Sequence, residues 1–254
     1  MSAEKIFQNQ LDLLKAIEQA EKDLGNPKIV WYRGHSQEHF KLVPTLFRYK
    51  NGLEQEKTLF HRYRQLTQNL PEGRNDDWLT IVDMQHYGVP TRLLDWTDFL
   101  GMAVYFALSE YLEDPDREYP NQKDYPTIHV LDPVRLNTLS CGKSEIFFVP
   151  EERDFEYRKV YWENNISNPS SPIAIEPICD NRRVLAQKGV FTVHDNSLKP
   201  LEETASQAVR KVRILHQNIP QMRDFLKFGH LNESNVFPDI AGVIKFINKS
   251  VPLK

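Results

Sequence analysis

Only two cysteines, Cys141 and Cys179, occur in the 254 residues, and neither has a partner at metal-ligand spacing. Two cysteines make no disulfide framework, and neither a paired CxxC nor an HExxH supplies a metal site. The histidines, His35, His86, His129 and His194 among them, form no ligand spacing, so no metal is expected. The phosphate loop GxxxxGK[ST], the dinucleotide fingerprint GxGxxG and the serine-hydrolase elbow GxSxG are also missing. Neither sign of charge is in excess: the formal net charge is -3 and the pI is near 6.3. No global basic field therefore advertises nucleic acid, although a local patch is compatible with a neutral average. No apolar run is long enough to cross a bilayer, and the opening MSAEKIFQNQLDLLKAIEQAEKDLG has no signal-peptide core. A cytoplasmic protein without membrane attachment is expected.

What is present is ordinary globular material, with 40% hydrophobic and 26% charged residues and enough length for a substantial core. Ile6, Phe7, Leu11, Leu14 and Ile17 recur at helical spacing over residues 4–24, which Gly25 and Pro27 then stop. Further helices are predicted over 54–70, over 76–87 and after Thr97 or Asp98, either of which can cap the last. Between them, GVPTRLLDWTDF reads as a loop. The charged, proline-rich EDPDREYPNQKDYP reads as an exposed loop, and β-type segments follow at TIHVL, EIFFV, IAIEP, GVFTVH and KVRIL. Helical patterns return at PQMRDFLKF and PDIAGVIKFINK. Helices first and strands later predict an α+β single domain, an N-terminal helical lobe packed on a C-terminal, mostly antiparallel sheet. Residues 1–28 form its N-terminal helix; the body, 29–254, has a helical lobe at about 54–112 and a sheet-rich part at about 126–254.

Four blocks carry candidate chemistry. In WYRGHS, the run IVWY leads into a turn that places Arg33 and His35 around Gly34. Arginine offers a planar fork of donors suited to phosphate, the glycine lets a ligand approach the backbone, and His35 can bond a sugar hydroxyl or move a proton. The competing reading is an arginine paired with a carboxylate to hold the turn. In MQHYGVPTRLLDWTDFLGMAVYFALSE, Asp95 can cap a helix or accept a fork from Arg92 or Arg33, while Trp96, Tyr105 and Phe106 read first as core. In RRVLAQKGVFTVHD, Gln187 either contacts a ligand amide or bonds backbone at a helix end. In LNESNVFPDIAGV, Glu233 and Asp239 are candidate carboxylates, and an acid in a first helical turn also answers to the helix dipole.

Taken together, these blocks resemble the FRG-domain family of bacteria and their phages. The name-giving aromatic–Arg–Gly stands here as Tyr32-Arg33-Gly34, with tyrosine in place of phenylalanine. KLVPTLFR, QHYGVPTRLLDWT, AQKGVFTVH and NVFPDIAG follow in family order, so the resemblance runs from about Ile29 to Ile247. It implies a setting of toxins or phage defence. A looser similarity to ADP-ribosyltransferases rests on the order Arg33 and His35, then Tyr105-Phe106, then Glu233. It implies an NAD-consuming transferase or glycohydrolase with a protein or nucleic-acid acceptor. Glu233 and His35 would be catalytic; Arg33, Gly34, Arg92, Asp95, Trp96, Tyr105 and Gln187 would bind NAD as substrate. The alternatives are a non-catalytic module sensing a nucleotide or partner, and a nuclease using Asp95 with Glu233 or Asp239 around a divalent ion.

Overall fold

The computed structural model describes residues 3–70, 73, 75–113, 124–149, 151, 155–163, 172–178 and 181–251. Most of the proline-rich segment after Glu113, and Cys179, lie outside the described residues. Helix α1, Ala3–Asp23, runs nearly where the apolar spacing puts it, and Gly25 ends it at φ 91°. Seven strands follow: β1 Trp31–His35, β2 Leu93–Thr97, β3 Thr127–Leu131, β4 Phe147–Val149, β5 Ile173–Pro177, β6 Gly189–Val193 and β7 Val209–Arg213. They make one sheet in the order β4-β5-β6-β2-β1-β3-β7, antiparallel except for the β4–β5 pair. The architecture is α+β in a single domain.

Strand alternation sorts the sheet's side chains onto two faces. On one face, Ile128, Val130 and Val212 pack with α1, with α4 (Leu100–Ala107) and with α10 (Ile219–Phe228). Beside them on the same face, Leu93, Phe191 and Val193 pack with α2 (Gly52–Thr67), α3 (Asp77–His86) and α7 (Tyr157–Tyr161). The opposite face carries Trp31, Leu94, Trp96 and Leu131 under α6 (Pro133–Cys141) and α9 (Leu201–Thr204). The remaining helices are the short α5 (Ser109–Glu113), α8 (Arg182–Gln187) and α11 (Glu233–Val236), with α12 (Ile240–Ser250) after them. A 3-10 turn at Thr45–Arg48 precedes α2.

Two local expectations are corrected. LLDWT is not loop but the strand β2, in the middle of the sheet. Helices cover β2 on one face and core on the other, so Leu93, Leu94 and Trp96 are all buried and no two-residue alternation marks it. Arg33, Gly34 and His35 are likewise not a turn, for β1 continues through them, paired with His129, Ile128 and Thr127. Gly34 is needed there because α4 crosses it: an added Cβ would lie 2.0 Å from the Ala103 carbonyl oxygen. The close approach expected of a ligand is made by a helix. At the start of α4, Thr97 Oγ1 accepts from the Phe99 N–H, while Asp98 makes no cap.

Candidate functional site

β1 and β2 are neighbours, yet they pair at a single position, Tyr32 with Thr97. Each keeps five paired positions with its other neighbour, β3 or β6. Past Tyr32 and Thr97 the two strands part, and a cleft of about 670 Å³ opens between them. Its size suits a small organic ligand. Into the opening points the backbone carbonyl of Asp95, which accepts from Arg33 Nη1 at 2.5 Å. A side chain takes the bond that a strand partner would otherwise make.

Arg33 sits at the middle of a short polar chain. Its Nε donates to His35 Nε2 at 3.0 Å, and its Nη1 lies 3.7 Å from Asp95 Oδ2. Gln85 Nε2 donates to the same Oδ2 at 2.8 Å, and Gln85 Oε1 accepts from Thr91 Oγ1 at 2.6 Å. Burial lowers the Arg33 pKa, Asp95 opposes that shift, and the nearby Arg48 adds to it. Burial, then the charge of Arg33, pushes His35 down to about 2, and the ring is neutral. Because His35 Nε2 accepts from Arg33, its proton belongs on Nδ1. The ring of His129 packs edge-on at 4.8 Å and is held down to about 3 by the same causes. His35 therefore holds the guanidinium in place, with its lone pair already committed.

Among the described residues four cations line the cleft, namely Arg33, Lys41, Arg48 and Arg183, against one carboxylate, that of Asp95. The Asp95 side chain is 55% exposed, so this acid meets whatever enters. Apolar walls come from Val82, Ala103, Phe106, Val184 and Phe191, and the amides of Gln85 and Gln187 lie among them. Such a lining, apolar with a few convergent polar groups, is the usual composition of a ligand site.

Of the residues singled out from sequence, Arg33, Gly34, His35, Asp95, Trp96 and Gln187 meet at this cleft. The Trp96 indole turns to the other face, where Nε1 donates to Thr192 Oγ1 at 3.1 Å. Gln187 Nε2 is used by the backbone, donating to the Val236 carbonyl at 3.0 Å. Arg92, Tyr105 and Glu233 do not line the cleft. Arg92 is fully buried and forks onto Glu56, whose carboxylate also accepts from Tyr157 and Trp162. Tyr105 belongs to the α4 core, and its neighbour Phe106 presents the ring that lines the cleft. Glu233 is buried against Lys249 Nζ at 2.5 Å, and Asp239 caps α12 by accepting from the Gly242 N–H. Both late acids are thus occupied by α12, and neither joins Asp95 around an ion. Among the described residues no group of three or more His, Cys, Asp or Glu side chains is placed to hold a metal.

Sequence reasoning passed over Arg48 and Gln85. Each lies inside a block that was noticed, but no spacing relates a 3-10 turn and the end of α3 to β1 before the chain folds.

An FRG domain is present, its family model matching residues 28–116. That span contains Arg33, His35, Arg48, Gln85, Asp95 and Phe106, hence most of the cleft's chemistry. The match stops short of Arg183, Gln187 and Glu233, which lie in the blocks expected to extend the resemblance to Ile247. No curated protein and no solved structure matches the chain. Among the described residues no helix is long and apolar enough to cross a membrane.

Proposed function

Because the FRG-domain match spans the Arg33–Asp95 apparatus, we propose that the protein binds a phosphorylated nucleotide of the NAD class between β1 and β2. One contrast carries this reading. Arg92 is fully buried and forks onto the Glu56 carboxylate, whereas Arg33 is partly buried and stands 3.7 Å from Asp95 Oδ2, within ion-pair range but without a hydrogen bond to that carboxylate. The pKa of Arg92 is raised in spite of burial, whereas that of Arg33 is lowered. A partly buried cation whose carboxylate neighbour makes no hydrogen bond to it is incompletely neutralised, and an anionic ligand completes its shell. Phosphate suits it, since a guanidinium offers a planar fork and Nη2 of Arg33 bonds to none of the described residues. Phe106 and Phe191 offer rings for a base to pack on. Calorimetric titration with NAD and ADP-ribose tests the proposal: binding that Arg33→Gln removes is expected. Absence of heat with every nucleotide tried would overturn it.

A second reading, consumption of NAD by a transferase or glycohydrolase, is favoured by Asp95. It is the carboxylate in the cleft, where Glu233 had been expected, and Gln85 and Arg33 hold it. In this reaction the bond from nicotinamide nitrogen to ribose C1′ breaks, and its electron pair leaves with neutral nicotinamide. Positive charge grows on the ribose, which a carboxylate stabilises, as in glycoside cleavage. Water or an acceptor hydroxyl, amine or carboxylate then adds to C1′; a proton lost from the attacking group goes to solvent. Chromatographic detection of free nicotinamide separates turnover from simple retention, the behaviour of a sensing module. The same protein returning NAD intact would leave binding without chemistry.

A further inference from the structure

We infer that Arg48 is the second half of a diphosphate clamp whose first half is Arg33, and that the cleft selects ligands carrying two adjacent phosphates over those carrying one. This rests on the nucleotide-binding reading and adds a specificity residue to it. Arg48 ends the 3-10 turn Thr45–Arg48, which fully buried Leu46 anchors and which is tied to the strand side of the cleft by the Leu46 N–H on the Thr91 carbonyl at 3.2 Å. Thr91 leads into β2 and also bonds Gln85, so the turn, the Asp95 support and the cleft wall share one framework. Nη2 of Arg48 donates to the Val43 carbonyl at 3.3 Å, which steadies the side chain without neutralising it.

Among the described residues Arg48 makes no ion pair with any carboxylate. Elsewhere in the fold, guanidinium groups are commonly neutralised: Arg64 and Arg158 share Asp77, Arg213 pairs with Glu38, and Arg92 pairs with Glu56. In the cleft, Arg33 and Arg48 instead line one hollow together with Arg183 and Lys41, and the charge of Arg48 bears unfavourably on both Arg33 and His35. Like charges held together on a fixed framework are the arrangement that an extended anion stabilises. One phosphate satisfies the donors of Arg33; a second, adjacent one reaches Arg48 nearer the mouth, where that side chain is exposed.

The test is calorimetric titration of the full chain with AMP, ADP, inorganic phosphate and inorganic pyrophosphate. ADP is expected to bind about tenfold tighter than AMP, the worth of one charge-assisted contact. Arg48→Gln is expected to erase that preference by weakening ADP about tenfold more than AMP, and Arg33→Gln to weaken both. Equal affinity for ADP and AMP in the parent chain, or equal weakening of both by Arg48→Gln, overturns the clamp while leaving nucleotide binding intact. Pyrophosphate binding that depends on Arg48, with no nucleotide bound, supports the clamp and removes the nucleotide reading. No binding of any of the four removes both. Arg48 is exposed, so an unchanged melting curve shows that the variant is folded.

Discussion

The Arg33 guanidinium bonds to the backbone carbonyl of Asp95 and stands 3.7 Å from that residue's carboxylate. The acid next to it thus remains half open to the cleft, and the cation remains incompletely neutralised. Two groups of opposite charge are kept near each other without being spent on each other. That looser pairing separates a site from a structural ion pair, and the fully buried Arg92, forked onto Glu56, supplies the control.

Removal of that second ion pair is expected to be severe. Glu56→Ala leaves the buried Arg92 charge without its partner and strips acceptors from Tyr157 and Trp162. A loss of about 3–5 kcal/mol is expected in urea unfolding. Arg33→Met, which deletes a cation whose carboxylate neighbour is half exposed and makes no hydrogen bond to it, is expected to leave stability within about 1 kcal/mol of the parent or to raise it. Equal losses in the two variants would contradict the distinction between them.

Gly34→Ala is expected to disrupt the fold rather than the ligand site alone. Its Cβ would meet the Ala103 carbonyl oxygen at 2.0 Å and the Ala107 nitrogen at 2.5 Å, both helix backbone that cannot rotate aside. A cost of about 3 kcal/mol or more follows from such overpacking. Thermal melting by circular dichroism measures it, and a variant as stable as the parent would show that α4 yields.

Stability is expected to fall on acidification through the histidine range. Burial holds His35 down to about 2 and His129 and His194 down to about 3, from an ordinary 6.5. Each folded value lies below the unfolded one, so below pH 6.5 the unfolded chain binds more protons. The contribution is complete above that pH and is lost as pH falls from 6.5 towards 3. The loss reaches up to roughly 2 kcal/mol per histidine by pH 5. Urea midpoints at pH 7 and pH 5 test the sign, and a midpoint that rises at pH 5 would refute it.

Asp95→Asn separates binding from chemistry. The amide keeps the shape and leaves the backbone carbonyl that Arg33 uses. Nucleotide affinity is expected to change less than tenfold, while any nicotinamide release falls by at least about a hundredfold, the usual scale for removing a group that stabilises developing charge. Gln85→Leu, which frees the carboxylate from its holder, is expected to lower release by a smaller factor, with affinity unaffected.

Much of this protein was legible without coordinates because it is local. Helix α1 and its glycine stop, the helix expected over 76–87 and the β-type runs of the second half depend on neighbours a few positions away. Residue types alone singled out Arg33 and Asp95, but left open whether Asp95 caps a helix or accepts from Arg92 or Arg33. Strand β2 was not legible, since a strand covered on both faces loses the alternation that identifies it, and Pro90 and Asp95 read as loop chemistry. Nor was the fate of Glu233, which depends on Lys249, sixteen positions later, on another helix. The opening itself is a property of no segment. It exists because α4 rests on Gly34 and two adjacent strands stop pairing after Tyr32 and Thr97, and that decision belongs to packing across the whole sheet.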